Sequence, residues 1–323
     1  MKLLTIDAPP DGHVGALLRD GHVLDLAILS TVLPAARLVP GSVRAILEAG
    51  EDALALVAKC LAAVERMTAG ERDGLAERGA IRPFAGTPLA PPIPDPRLIL
   101  SAGLNYGRHL EEMSGTPRPP HPTAFIKAAC TLTGSGKPIL VPPQCPDMID
   151  YEGEFTFVIG RTCHNVSETD AMGYVAGYTI CNDVSARNWV AGVFEAEGRF
   201  GPILGWERNI LGKQLPTFTP CGPVMVTKDE IRDPHDLQLT TRLNGTVMQS
   251  TKTDDLIYKL PQLISYFSRY YRLEPGDFMT TGSPSGVGFG RNPKVFMKAG
   301  DTIEVEIEGI GTLSNRLAAA DNR

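Results

Sequence analysis

Residues 150–189 read DYEGEFTFVIGRTCHNVSETDAMGYVAGYTICNDVSARNW. Glu152 and Glu154 stand two apart at the head of the apolar run 155–159. Side chains i and i+2 of a strand share a face, so both carboxylates leave that face together. A second apolar run, 178–181, ends at Asn182-Asp183. If the two runs are neighbouring strands, Asp183 joins the glutamates. Three converging carboxylates repel one another unless something positive lies between them. Oxygen-only donors suit a hard cation, Mg²⁺ first, then Mn²⁺ or Ca²⁺. A Glu-x-Glu taken alone is most often a solvated strand end. The weight therefore falls on its surroundings.

Those surroundings carry a resemblance. Tyr151-Glu152-Gly153-Glu154 and Asn182-Asp183-Val184-Ser185-Ala186-Arg187 resemble the metal-binding core of the fumarylacetoacetate hydrolase family. A second block, Leu273-Glu-Pro-Gly-Asp277 with Thr281-Gly-Ser283-Pro-Ser-Gly-Val-Gly288, resembles that family's late loop, with Ser283 where Thr is usual. Upstream, Asn105-Tyr106 precedes His109 and Glu112, which are three apart and so share a helix face. An imidazole beside a carboxylate can serve as a general base. From spacing alone this is an ordinary surface pair. The family, however, places such a His and Glu on a mobile helix that closes over the metal. The chain departs from many relatives at Val190, Asn188 and the longer stretch 192–206.

The remaining composition narrows the classes. The chain has 323 residues and a net charge of −6, with no basic stripe. That argues against nucleic acid and against an anionic membrane surface as partners. No run approaches the 18 or so apolar residues of a spanning helix, and the N-terminus lacks signal-peptide features. Six scattered cysteines form no Cys-x-x-Cys pair, so structural zinc and a disulfide scaffold are not expected. A cytoplasmic protein with reduced thiols is expected. The 33 glycines and 27 prolines favour short strands and turns.

In chain order, Asp11-Gly12 and Asp20-Gly21 separate short apolar runs as hairpin signals do. Residues 42–66 carry helix-type spacing broken near Gly50. Residues 84–98 are proline-rich and mark the best domain boundary. We expect an N-terminal accessory domain over 1–90 and a catalytic domain over 91–323. A short helix is expected over 106–113. Glycines 103, 107 and 115 surround it, with little apolar content to anchor it. It should be mobile when empty, with His109 free to stand far from the carboxylates. Gly134-Ser-Gly136-Lys137 lacks the first glycine and the Ser or Thr of a phosphate loop, and reads as a turn. Lys127 is read as structural and left outside the site. Asn244-Gly245 marks a tight hairpin, and 255–272 reads as a helix. If 185–190 begins a helix, Arg187 points back to the pocket.

The resemblance implies an α+β fold, mainly β: a mixed β-roll with a small α+β N-terminal domain. It implies a homodimer and a small-molecule 2-oxo or 1,3-diketo acid substrate. Glu152, Glu154 and Asp183 would hold the metal, which would chelate the substrate and stabilise an enolate. His109, oriented by Glu112, would activate water for hydrolytic C–C cleavage of an acylpyruvate-like or other β-diketo acid. Arg187, Lys213 and Ser283 would hold the carboxylate and developing charge, with Lys213 also stabilising an oxyanion. The alternatives are a hydratase, decarboxylase or isomerase of a 2-oxo acid, and a metal-binding relative without catalysis, which the intact His109/Glu112 pair disfavours.

Overall fold

The structure is a computed structural model describing residues 1–9, 12–113, 116–189, 198 and 200–320. Its spine is the strand pair Gly153–Ile159 and Val175–Asn182, antiparallel, with Phe155 opposite Ile180 and Glu154 opposite Cys181. Both strands are buried along nearly their whole length. Phe155, Phe157 and Ile159 face one core, and Val158 faces another. A strand covered on both faces reads as a continuous apolar run rather than an alternation, which is what 155–159 shows. Each buried Phe contributes about 1.5–3 kcal/mol relative to exposure.

These strands sit within a twelve-stranded sheet. On one side follow Phe278–Thr280, Ile99–Gly103 and Thr123–Lys127. On the other come Thr219–Thr227, Lys2–Ile6, His13–Leu17, His22–Asp25 and Ile81–Pro83. The N-terminal strands therefore extend the sheet that carries the acidic motif, with Leu3 opposite Met225. Helices Val43–Ala49 and Glu51–Glu65 meet at Gly50, whose φ of 78° is left-handed. They share a core with Ile99, Val158 and Met225. The proline-rich segment is packed in: Leu89–Ala90 pairs with Lys2–Ile6, and Ile93 is buried.

A second sheet covers the other core. It has five strands in the order Thr246–Lys252, Gln238–Leu243, Thr302–Ile307, Gly311–Ala319 and Ile139–Val141. Asn244 and Gly245, both at positive φ (50° and 80°), make the hairpin between its first two. The mixed, mainly β architecture is thus as expected. The helix expected over 255–272 is shorter and spans Leu260–Ser268. Pro261 has no N–H to give and is tolerated only in a helix's first turn, so the helix cannot begin at 255. Its Leu260 N–H donates to Nε2 of His235 at 3.3 Å. Among the described residues no helix is long and apolar enough to cross a membrane.

Candidate active site

The ladder register assembles the acidic cluster. Gly153 pairs with Asn182, which puts Glu152 across from Asp183, and Asp183 N donates to Glu152 O at 2.8 Å. One carboxylate oxygen from each of Glu152, Glu154 and Asp183 lies within 4.8 Å of the others, and all three residues are buried. Glu154 Oε2 has no hydrogen-bond partner, and Glu154 makes no ion pair among the described residues. Burial, then Asp183 and Glu152, push its carboxyl well above the usual range. A buried orphan oxygen costs free energy, and a hard cation bound to these oxygens would relieve that. The donor set therefore fits a divalent metal.

Three cations line the other side of the cluster. Lys213 Nζ donates to Asp183 Oδ2 (2.6 Å), Ser185 Oγ (2.7 Å) and Glu152 Oε2 (2.9 Å). Arg187 spans Asp150 and Glu152, its Nε 3.0 Å from Asp150 Oδ2. Burial opposes charge on Glu152, but Lys213 and Arg187 outweigh it and hold this carboxyl low. Lys127, read from sequence as structural, is instead part of the site. Its buried ammonium donates to Asp183 and, at 3.0 Å, to Phe218 O. Asp150 was likewise missed. It accepts from Arg187 and from the backbone of Gly288 (2.7 Å) and Phe289 (3.1 Å). A Lys closing the strand Thr123–Lys127 was the available signal for the first, and an Asp beside Tyr-Glu-x-Glu for the second. Arg187 does not lie on a regular α-helix: Ser185–Ala186 is a strand and Arg187–Trp189 a 3₁₀ turn. Val190 lies outside the described residues.

The His109 helix, Gly107–Glu112, roofs the cluster. His109 Nδ1 lies 3.1 Å from Glu112 Oε2, and Glu112 also accepts from Gly286 N at 3.1 and 3.2 Å. The helix is seated, and its root is anchored more firmly than its composition suggested. Tyr106 is fully buried. Asn105 donates to Tyr258 O and Thr281 O and accepts from Tyr258 N. Ser283 is buried, its hydroxyl accepting from Gln249 Nε2 at 3.1 Å. A single cavity of about 590 Å³ is lined by His109, Glu112, Glu152, Glu154, Asp183, Arg187, Lys213 and Ser283 together. All eight residues singled out from sequence thus meet in one place.

Residues 98–318 match the C-terminal domain of fumarylacetoacetate hydrolases. The chain belongs to the fumarylacetoacetate hydrolase family. A mitochondrial oxaloacetate tautomerase of Xenopus laevis is 37% identical over 307 residues, 95% of this chain and 86% of its own. The fumarylacetoacetate hydrolase of Exiguobacterium antarcticum has a TM-score of 0.76 at 29% identity, covering 99% of this chain and 100% of its own. The maleylpyruvate hydrolase of a Sphingobium species, solved with manganese(II) and pyruvate, gives 0.70 at 25%, covering 99% and 100%. The chain is thus an enzyme of a family that acts on 2-oxo acids. These relatives do not single out the hydrolysis expected from the sequence.

Proposed function

We propose that this protein interconverts the keto and enol forms of a 2-oxo acid, with His109 as the proton-transfer base. The observation that carries the reading is the His109–Glu112 pair facing a buried carboxylate triad in one cavity. Glu112 takes the Nδ1 proton in its hydrogen bond, which leaves Nε2 as the basic nitrogen. Glu112 is itself fixed by Gly286 N, so the imidazole is held in one orientation. Nε2 removes a proton from the carbon beside the keto group, and the electron pair moves onto the keto oxygen. Lys213 and Arg187 supply positive charge beside that oxygen, and His109 returns the proton to it. A divalent cation held by Glu152, Glu154 and Asp183, Mg²⁺ or Mn²⁺, would supply Lewis-acid stabilisation of the same negative charge. The 37% identity to an oxaloacetate tautomerase supports this reading.

Hydrolytic C–C cleavage of a β-diketo acid is the second reading. It is favoured by a cavity of about 590 Å³, roomy enough for a longer substrate and an attacking water. The two separate in one experiment on protein supplied with Mg²⁺ or Mn²⁺. Deuterium exchange at C3 of 2-oxo acids, followed by NMR, reports tautomerisation. Release of two carboxylic acids from an acylpyruvate reports hydrolysis. Exchange without cleavage is expected, cleavage would install the second reading, and neither would overturn both. A homodimer in the cytoplasm completes the proposal, tested by light scattering and fractionation. Six unpaired cysteines support a reducing compartment.

A further inference from the structure

The cavity lining carries two chemically different sets of side chains. One is ionisable: Glu152, Glu154, Asp183, Arg187 and Lys213 of the floor, with His109 and Glu112 of the lid. The other is an apolar wall made by Leu104, Met113, Ala124, Phe125, Pro202 and Trp206. On the helix Gly201–Leu211, positions 202, 205, 206 and 209 line the cavity, the i, i+3, i+4, i+7 pattern of a single face. Phe125 brings the two sets together, with the Lys213 ammonium 5.6 Å from its ring centroid. Leu104 adds an independent sign. It holds φ at 54°, in the left-handed region, where a bulky residue is an outlier. Such strain persists where the surroundings enforce it, and it concentrates at ligand-binding positions. Here it places an apolar side chain on the wall at the root of the lid.

We infer that the preferred substrate is a 2-oxo acid bearing an apolar, aryl or branched-alkyl group beyond the reacting carbon, rather than a second carboxylate. This rests on the 2-oxo acid reading above. Among the described lining residues the basic side chains are His109, Arg187 and Lys213. The latter two are already engaged by Asp150, Glu152 and Asp183. A second carboxylate at the wall would lie against Leu104 and Trp206 with no further cation among the described lining residues to meet it. An aromatic ring there would instead bury apolar area. Lys294 is exposed and lies 3.7 Å from the centroid of the ring of Phe289, a lining residue.

The test uses two 2-oxo acids that cannot enolise, so that binding is read apart from turnover. Benzoylformate is an aryl monoanion, and 4-carboxybenzoylformate is the matching dianion, with no carboxylate β to the keto group to lose. Calorimetry on Mn²⁺-loaded protein should give benzoylformate the lower Kd by about tenfold or more. Trp206→Ala and Leu104→Asn should each shrink that ratio. Trp206 is half exposed, so its loss leaves the core intact, and Asn tolerates the left-handed backbone at 104. Equal or tighter binding of the dianion overturns the inference, and its loss in Lys294→Ala would show which group reads the second carboxylate. Turnover of phenylpyruvate and oxaloacetate is then measured separately. Faster exchange in oxaloacetate would retain the tautomerase and overturn this inference. Tighter benzoylformate with no exchange in either acid would retain the substrate class and overturn the tautomerase.

Discussion

Glu154 and Asp183 sit on or beside strands buried on both faces and paired on both edges, at the centre of a twelve-stranded sheet. His109 sits on a six-residue helix whose seat includes a buried tyrosine, one asparagine and the Gly286 N–H donating to both oxygens of Glu112. Opening the floor would require breaking the central sheet, whereas a short helix held by few bonds is where local unfolding is expected. The difference assigns the two regions separate duties. On the proposed function, charge is stored on the sheet, and His109 delivers proton transfer from the helix that must let substrate in.

Removing the cation attacks the floor and carries the largest effect. Chelation with EDTA should abolish turnover, and Mg²⁺ or Mn²⁺ should restore it. Glu154→Gln should weaken Mn²⁺ binding in calorimetry. Full activity in stripped protein would erase the distinction between floor and roof.

Next comes the roof alone. His109→Ala should lower kcat by about 10²–10⁴-fold, the usual contribution of a general base, with Mn²⁺ affinity unchanged. Near-wild-type kcat would remove His109 from the chemistry. A metal affinity that fell with it would mean the two regions are not separable.

The hinge sharpens the contrast further. Asn105→Ala leaves Tyr258 N, Tyr258 O and Thr281 O without their partner, at a cost of about 1–3 kcal/mol to lid seating. Hydrogen exchange should quicken over residues 107–112 and stay slow in Gly153–Ile159. Equal acceleration in both would show that lid and sheet open together.

The smallest effect lies outside both regions and serves as a control. Burial, then Lys259, hold the His235 imidazole below its usual value. As pH falls below about 6.5, the unfolded chain takes up this proton before the folded one does. The stabilisation is complete above that pH and is lost as pH falls through the folded value. His235→Gln should flatten this part of the stability curve in thermal unfolding between about pH 7 and 5. An unchanged slope would place the acid sensitivity elsewhere.

Much of the floor was legible because it follows from parity. Glu152 and Glu154 share a face by spacing, and Asp183 ends the apolar run that pairs with theirs. His109 and Glu112 were legible as a helical pair. Lys127 and Asp150 were not, because their partners lie 56 and 37 residues away and neither sits in a repeating pattern. Lid seating was hidden for a related reason. It depends on Asn105 bonding backbone groups 153 and 176 residues distant, and local composition says nothing of that. The shortened helix at Leu260 was readable from Pro261, but apolar periodicity was given more weight than the missing N–H.

The register of Gly153–Ile159 against Val175–Asn182 has a consequence for how this chain can diverge. Glu154 faces Cys181, and the ladder's irregularity is confined to Val158 and Ile159, at the end away from the glutamates. One codon gained or lost between Glu154 and Phe157 would turn Phe157 and Ile159 to the opposite face while the glutamates stayed put. Substitution can therefore explore this strand, but length change cannot. Descendants can lengthen only where strand parity is untouched, such as the connection between Arg187 and the helix Gly201–Leu211. That same helix supplies Trp206 to the cavity wall. Lineages of this fold would then diversify in what they accept long before they could alter how they hold charge.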